Sequence, residues 1–236
     1  MKVVILQSNY IPWKGYFDLI NDADIFCFLD EVKYTKNDWR NRNKLYSKNG
    51  LFWLTIPISK KAVNLKISEV ILENYFWQKK HYTSIVNTYC KAPQLDNLLP
   101  FLEDIYLKQE WKSLSQLNQY IIKNLCNFIG IKTKIVTSKD YHLKSNKIDR
   151  IISLIKQMGG TEYISGMNAK NYIDQNEEIF NQNNIKLVYK TYGPYKGYTQ
   201  NLPNFQDAVS IIDTLMFVKQ ENIFDHITSS SSIKHQ

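Results

Sequence analysis

The chain has 236 residues, of which 44% are apolar, 22% charged and 14% aromatic, and it carries a formal charge of +8 with a pI near 9.1. Such a composition excludes a disordered or fibrous chain, and the length suffices for one sizeable core. The basic balance favours acidic partners, but the lysines are scattered, with no run longer than the pairs Lys60-Lys61 and Lys79-Lys80, which argues against a dedicated nucleic-acid binder.

No stretch approaches the roughly 20 apolar residues of a membrane span, and the N-terminus begins with a strand pattern rather than a signal peptide. The expected compartment is the cytoplasm. Cys27, Cys90 and Cys126 are odd in number and lack C-x-x-C spacing, so they read as buried thiols in a reducing environment and not as metal ligands.

Along the chain, Val3 to Leu6 is an apolar β-rich run that stops at Gln7. Ser8 to Pro12 is turn chemistry, a helix opens near Trp13 and continues to Ala23, and Ile25 to Leu29 is a second strand ending in Asp30-Glu31. Trp53 to Pro57 predicts a third strand, and a slipped alternation from Leu65 to Leu72 predicts a half-exposed one. From Tyr75 to Phe128 the spacing is helical, broken at Pro93 and closed by Gly130. Strands at 133–137, 161–165 and 185–189 alternate with helices at 145–158 and 169–180, and Asn204 with Asp207 predicts a cap for a last helix. The pattern predicts an α/β fold with a mostly parallel, Rossmann-like sheet, as one domain over 1–227 with a helical insertion around 75–130. Residues 228–236 are expected to be a disordered tail.

Ligands of such sheets bind beyond the carboxyl ends of the strands. Gln7, Asn9, Tyr10, Trp13, Asp30, Ser165 and Gly166 would gather there, with Arg40 and Arg42 at the mouth, about 7 Å apart on one face if extended. Only one of Asp30 and Glu31 can face the crevice if the strand persists, and Asp30 is taken as that residue. Gly15 in a first helical turn suggests close approach by a ligand or a neighbouring backbone, with simple crowding as the alternative. Tyr16 and Asn41 complete the candidate contacts. His81, beside Lys79 and Lys80, is a second candidate base or a surface histidine. Phosphate-loop, G-x-G-x-x-G, H-E-x-x-H and G-x-S-x-G signatures are all absent.

The segments Gln7-Ser8-Asn9-Tyr10-Ile11-Pro12-Trp13-x-Gly15-Tyr16-Phe17, Leu29-Asp30-Glu31-Val32, Trp39-x-Asn41-Arg42-Asn43, Trp77-x-x-Lys80-His81 and Tyr163-Ile164-Ser165-Gly166 closely resemble the WbqC-like family of bacterial proteins. Ser8 stands where that family usually has proline. The resemblance implies a role linked to O-antigen and surface polysaccharide production, with glycine transfer to a sugar as the suggested activity. A second resemblance is to nucleotidyltransferases and pantothenate synthetase-like ligases, whose H-x-G-H motif lies where Trp13-Lys14-Gly15-Tyr16 falls, with both histidines replaced.

The expected function is therefore a transferase or ligase that acylates, by glycine or another group, the amino group of a nucleotide-activated sugar. ATP or another nucleotide is the candidate cofactor, and Asp30 or His81 would accept the amine proton. The alternative is a non-catalytic protein that binds a nucleotide sugar or a partner enzyme of the same pathway.

Overall fold

The structure is a computed structural model that describes residues 1–167 and 176–229. Its centre is a five-stranded sheet of β1 (Lys2–Leu6), β2 (Ile25–Phe28), β5 (Lys134–Thr137), β6 (Glu162–Gly166) and β7 (Lys186–Lys190). The strand order is β5-β2-β1-β6-β7, and every neighbouring pair is parallel. The order runs outward from β1 in one direction through β2 and in the other through β6. The reversal therefore lies between β1 and β6.

Side chains of alternate strand residues go to opposite faces, and both faces are covered. Val4, Phe26, Phe28 and Ile164 join one core with α1 (Lys14–Asn21), α4 (Leu114–Ile129) and their neighbours. Val3, Ile5, Ile25, Cys27 and Tyr163 join a second core with Ile148, Ile151, Ile152 and Ile155 of α5 (Lys147–Gln157) and with Phe180 of α6 (Glu177–Gln182). A sheet covered twice needs apolar residues at consecutive positions, which is why the strands read as continuous apolar runs. The architecture is a Rossmann-like α/β fold.

Between β2 and β5 the chain adds a hairpin, β3 (Arg42–Ser47) with β4 (Gly50–Thr55), then α2 (Phe76–Thr88) and α3 (Leu95–Glu103) before α4. The strand expected at Trp53 is β4, and it pairs antiparallel with β3 outside the parallel sheet. No strand forms from Leu65 to Leu72. That segment makes a 3-10 turn at Ile67–Glu69, where the Glu69 carboxylate accepts the Lys66 backbone N-H at 3.0 Å and offers the backbone a local partner in place of a ladder.

The capping chemistry is mostly as expected. Asn146 Oδ1 accepts from the Ile148 N-H at 3.0 Å to open α5, and Gly130 closes α4 with φ +92°. A β-carbon at Gly130 would meet only Phe224, at 3.6 Å, so Gly130→Ala isolates the left-handed backbone cost. It is expected to lower unfolding free energy by about 1 kcal/mol in urea titrations.

The last long helix, α7 (Ile211–Phe217), is capped by Ser210, not by the expected Asn204 and Asp207. Asp207 is drawn away by the ammonium of buried Lys14, with which it makes an ion pair. α8 (Ile223–Ile227) follows. Cys27 and Cys126 are buried, and desolvation pushes both thiols up to about 12, so they stay protonated. Cys90 is exposed, contrary to expectation, because it lies just beyond the C-cap of α2. Of the helix expected from Ala169 to Phe180, residues 169–175 lie outside the described part, as do residues 230–236 of the expected tail.

Candidate functional site

The turn after β1 is held from several sides. Asp30 Oδ1 accepts the Ser8 N-H at 2.9 Å, a bond that a proline at this position could not make. The Tyr10 N-H donates to the Trp39 carbonyl at 2.9 Å, and the Tyr16 hydroxyl to the Gln7 carbonyl at 2.9 Å. Ile11 has φ +36°, a costly conformation for a β-branched residue. Its carbonyl accepts from Asn43 Nδ2 at 2.9 Å and Ser210 Oγ at 2.7 Å, which fixes the strained turn in place.

Beyond this turn lies a cavity of about 1280 Å³ at the carboxyl ends of β1 and β6, where the strand order reverses. Gln7, Asn9, Trp13, Tyr16, Arg40, Ser165 and Gly166 all line it, although Gln7 and Gly166 are far apart in the sequence. Parallel pairing of β1 with β6 brings them together. Five cationic side chains, Lys33, Arg40, Lys66, Lys147 and Arg150, face two acids, Glu31 and Asp38, so the lining is net positive. Trp13, Trp39 and Tyr192 supply aromatic surface. Trp13 and Tyr192 meet with ring centroids 5.2 Å apart.

Tyr192 is placed by buried polar anchors around it. At the end of β7, Lys190 pairs with Asp18 at 2.8 Å and Asp22 at 2.7 Å. Further on, Asp213 accepts from Gln200 at 2.6 Å, Tyr198 at 2.8 Å and Tyr89 at 3.0 Å.

Six expected site residues are elsewhere. Asp30 is fully buried and points toward α4, accepting from the Ser115 hydroxyl and from Gln119 Nε2 at 3.0 Å. Glu31 is the one of the adjacent pair that lines the cavity, and it accepts from the Ser138 hydroxyl. Tyr10 is buried, and its hydroxyl meets His81 Nδ1 at 2.8 Å. His81 is itself on the buried face of α2, with Nε2 at 3.2 Å from the Thr55 carbonyl. Desolvation pushes its pKa down to about 4 against a smaller upward pull from that carbonyl. Asn41 is buried and donates to the Ile56 carbonyl at 2.8 Å. Arg42 lies over Trp53, 4.2 Å from the ring centroid, on the hairpin. Gly15 meets no ligand space, because the Trp13 indole fills the position of a β-carbon. Its requirement is the crowding alternative.

Glu31, Lys33, Trp39, Lys66, Lys147, Arg150 and Tyr192 are cavity residues that the sequence reasoning did not select. Lys147 and Arg150 carried a signal, since they occupy the first turn of the helix that follows β5. Among the described residues no cluster of three or more His, Cys, Asp or Glu could hold a metal, and no helix is long and apolar enough to cross a membrane.

A parallel sheet covered on both faces, with an open basic cleft at its reversal point, defines a Rossmann-like α/β protein. The WbqC-like protein family model matches residues 7–224, and the chain belongs to that family. It is similar to an uncharacterized protein of Mycobacterium tuberculosis, with 39% identity over 221 residues that cover 93% of this chain and 95% of that protein. No solved structure matches the chain.

Proposed function

We propose that the chain is a cytoplasmic transferase or ligase of bacterial surface polysaccharide production that acylates the amino group of a nucleotide-activated sugar. The observation that carries this reading is the cleft itself: aromatic faces for a base or sugar ring and an excess of cations for phosphates, at the edge where such sheets place ligands. Arg40, Lys66, Lys147 and Arg150 would neutralise the diphosphate, and Trp13 or Trp39 would stack on a ring. ATP or another nucleotide would activate the acyl group, glycine being the first candidate. The sugar nitrogen forms the bond to the acyl carbon, the activating group leaves with its electron pair, and the amine proton passes to a base. Glu31 takes that role, being the carboxylate at the end of β2 that reaches the cleft.

The withdrawal of Asp30 and His81 into the core favours a second reading, a nucleotide-sugar binding protein of the same pathway. Calorimetric titration with nucleotide-activated amino sugars, followed by mass spectrometry after incubation with ATP and amino acids, separates the two. Salt-sensitive binding and a mass gain on the sugar, with Glu31→Gln binding normally but turning over at least a hundredfold more slowly, is the expected result. Binding without turnover across the donors would support the second reading, and no binding of any nucleotide sugar would sink both.

A further inference from the structure

Arginine can only donate hydrogen bonds, which fixes how its amide neighbours are turned. Arg40 donates through Nη1 to Asn9 Oδ1 at 2.6 Å and through Nη2 to Gln7 Oε1 at 3.3 Å. Both amide oxygens therefore face the guanidinium, and both NH2 groups face away from it. Among the described residues neither NH2 has a partner, and neither is a buried atom, so both are open to the cleft that the two residues line. The guanidinium cannot swing off this pair freely. Asp38 lies 3.6 Å from Nη2, and the Arg40 carbonyl is held by Asn118 Nδ2 at 2.8 Å.

We infer that Gln7 and Asn9, oriented by Arg40, form a donor-only seat for an oxyanion, a phosphate or a carboxylate, at the carboxyl end of β1. Neutral NH2 donors backed by a guanidinium suit a group that only accepts, and they exclude groups that must donate at that position. A hydroxyl or carbonyl oxygen can accept from both amides, but only an oxyanion also gains from the positive charge behind them. The seat deepens the reading of the cleft as the substrate site, since it assigns one part of the ligand to two named side chains.

Its test does not depend on that reading. Asn9→Asp and Gln7→Glu each keep an oxygen toward Arg40 while turning the cleft-facing donor into an acceptor. The probes are inorganic pyrophosphate and malonate, followed through tryptophan fluorescence, because Trp13 and Trp39 line the same cleft. Unaltered melting temperatures would show that the variants remain folded, and Gln7→Met, which removes the donor without adding charge, is the milder control. Wild-type protein should bind at least one probe, with pyrophosphate and malonate distinguishing a phosphate seat from a carboxylate seat. The acidic variants should bind it at least thirtyfold more weakly, and Gln7→Met about tenfold more weakly. If folded variants bind the probe as wild type does, or if wild type binds neither probe, the seat is overturned. Should the probe bind as described while no nucleotide sugar does, the seat stands and the proposed function falls.

Discussion

Replacing Asp30 by alanine is expected to lower the unfolding free energy by about 3–5 kcal/mol, read from urea midpoints at constant slope. The carboxylate is fully buried and accepts from three separate donors: the Ser8 backbone, the Ser115 hydroxyl and the Gln119 amide. Hydrogen bonds to a charged group each contribute more than neutral ones, and alanine would leave the Ser8 N-H and the Ser115 hydroxyl without that acceptor in the core, while the half-buried Gln119 amide would keep only the Ser115 oxygen, at 3.0 Å. Ser115 and Gln119 belong to α4 and Ser8 to the turn after β1, so the same change unties a helix from the edge of the cleft. Ser115→Ala removes only one donor and should cost about 1 kcal/mol. A folded, fully stable Asp30→Ala protein that had lost turnover would contradict this structural role and return Asp30 to the chemistry.

The misassignment of Asp30 has a physical origin. Alternation tells which face a strand residue takes only where one face is wet, and β2 is buried at every position. The pattern Ile25 to Phe28 therefore located the strand but left the phase of Asp30 and Glu31 unreadable. Strand ends were legible for a different reason. A polar residue directly after an apolar run marks the carboxyl edge whatever the phase, and so Gln7, Asn9, Ser165 and Gly166 could be gathered on one edge and do line one cavity. Parallel topology did the rest.

The hairpin was hidden by its own polarity. Arg42-Asn43-Lys44 reads as a loop, yet Asn43 is buried because its amide serves the Tyr10 and Ile11 carbonyls. A usable signal was present in Lys48-Asn49-Gly50, since β3 and β4 pair outward from Ser47 and Gly50 and Gly50 has φ +98°. Without that hairpin, Arg40 and Arg42 seemed equivalent. In the fold they diverge, Arg40 toward Gln7 and Asn9, and Arg42 onto Trp53. The helical block misled in a similar way. Lys79 and Lys80 suggested a wet histidine, whereas Trp77, His81 and Ile85 repeat every fourth residue and form the buried face of α2.

That burial makes His81 a liability in acid. Its neutral ring is satisfied in one tautomer: Nε2-H can donate to the Thr55 carbonyl while Nδ1 accepts from the Tyr10 hydroxyl, which is also within reach of Tyr106. Protonation would place a charge among Tyr10, Trp77 and Tyr106 with no carboxylate among its hydrogen-bond and ring partners. The folded-state pKa is held down at about 4 from an ordinary 6.5, so between those values the unfolded chain binds the proton and the folded chain does not. Stability from this residue is therefore complete above about pH 6.5, declines as the pH falls through that window, and reaches its full loss near pH 4. At about 1.4 kcal/mol per unit the loss amounts to about 3 kcal/mol. Urea unfolding at pH 7.0, 5.5 and 4.5 should show a steady fall in wild type. His81→Gln can keep one donor and one acceptor without titrating, so it should start lower at pH 7 but lose about 2 kcal/mol less over the same interval, which stops short of pH 4. Parallel pH curves for the two proteins would show that His81 is not the group that titrates and that its burial carries no acid penalty.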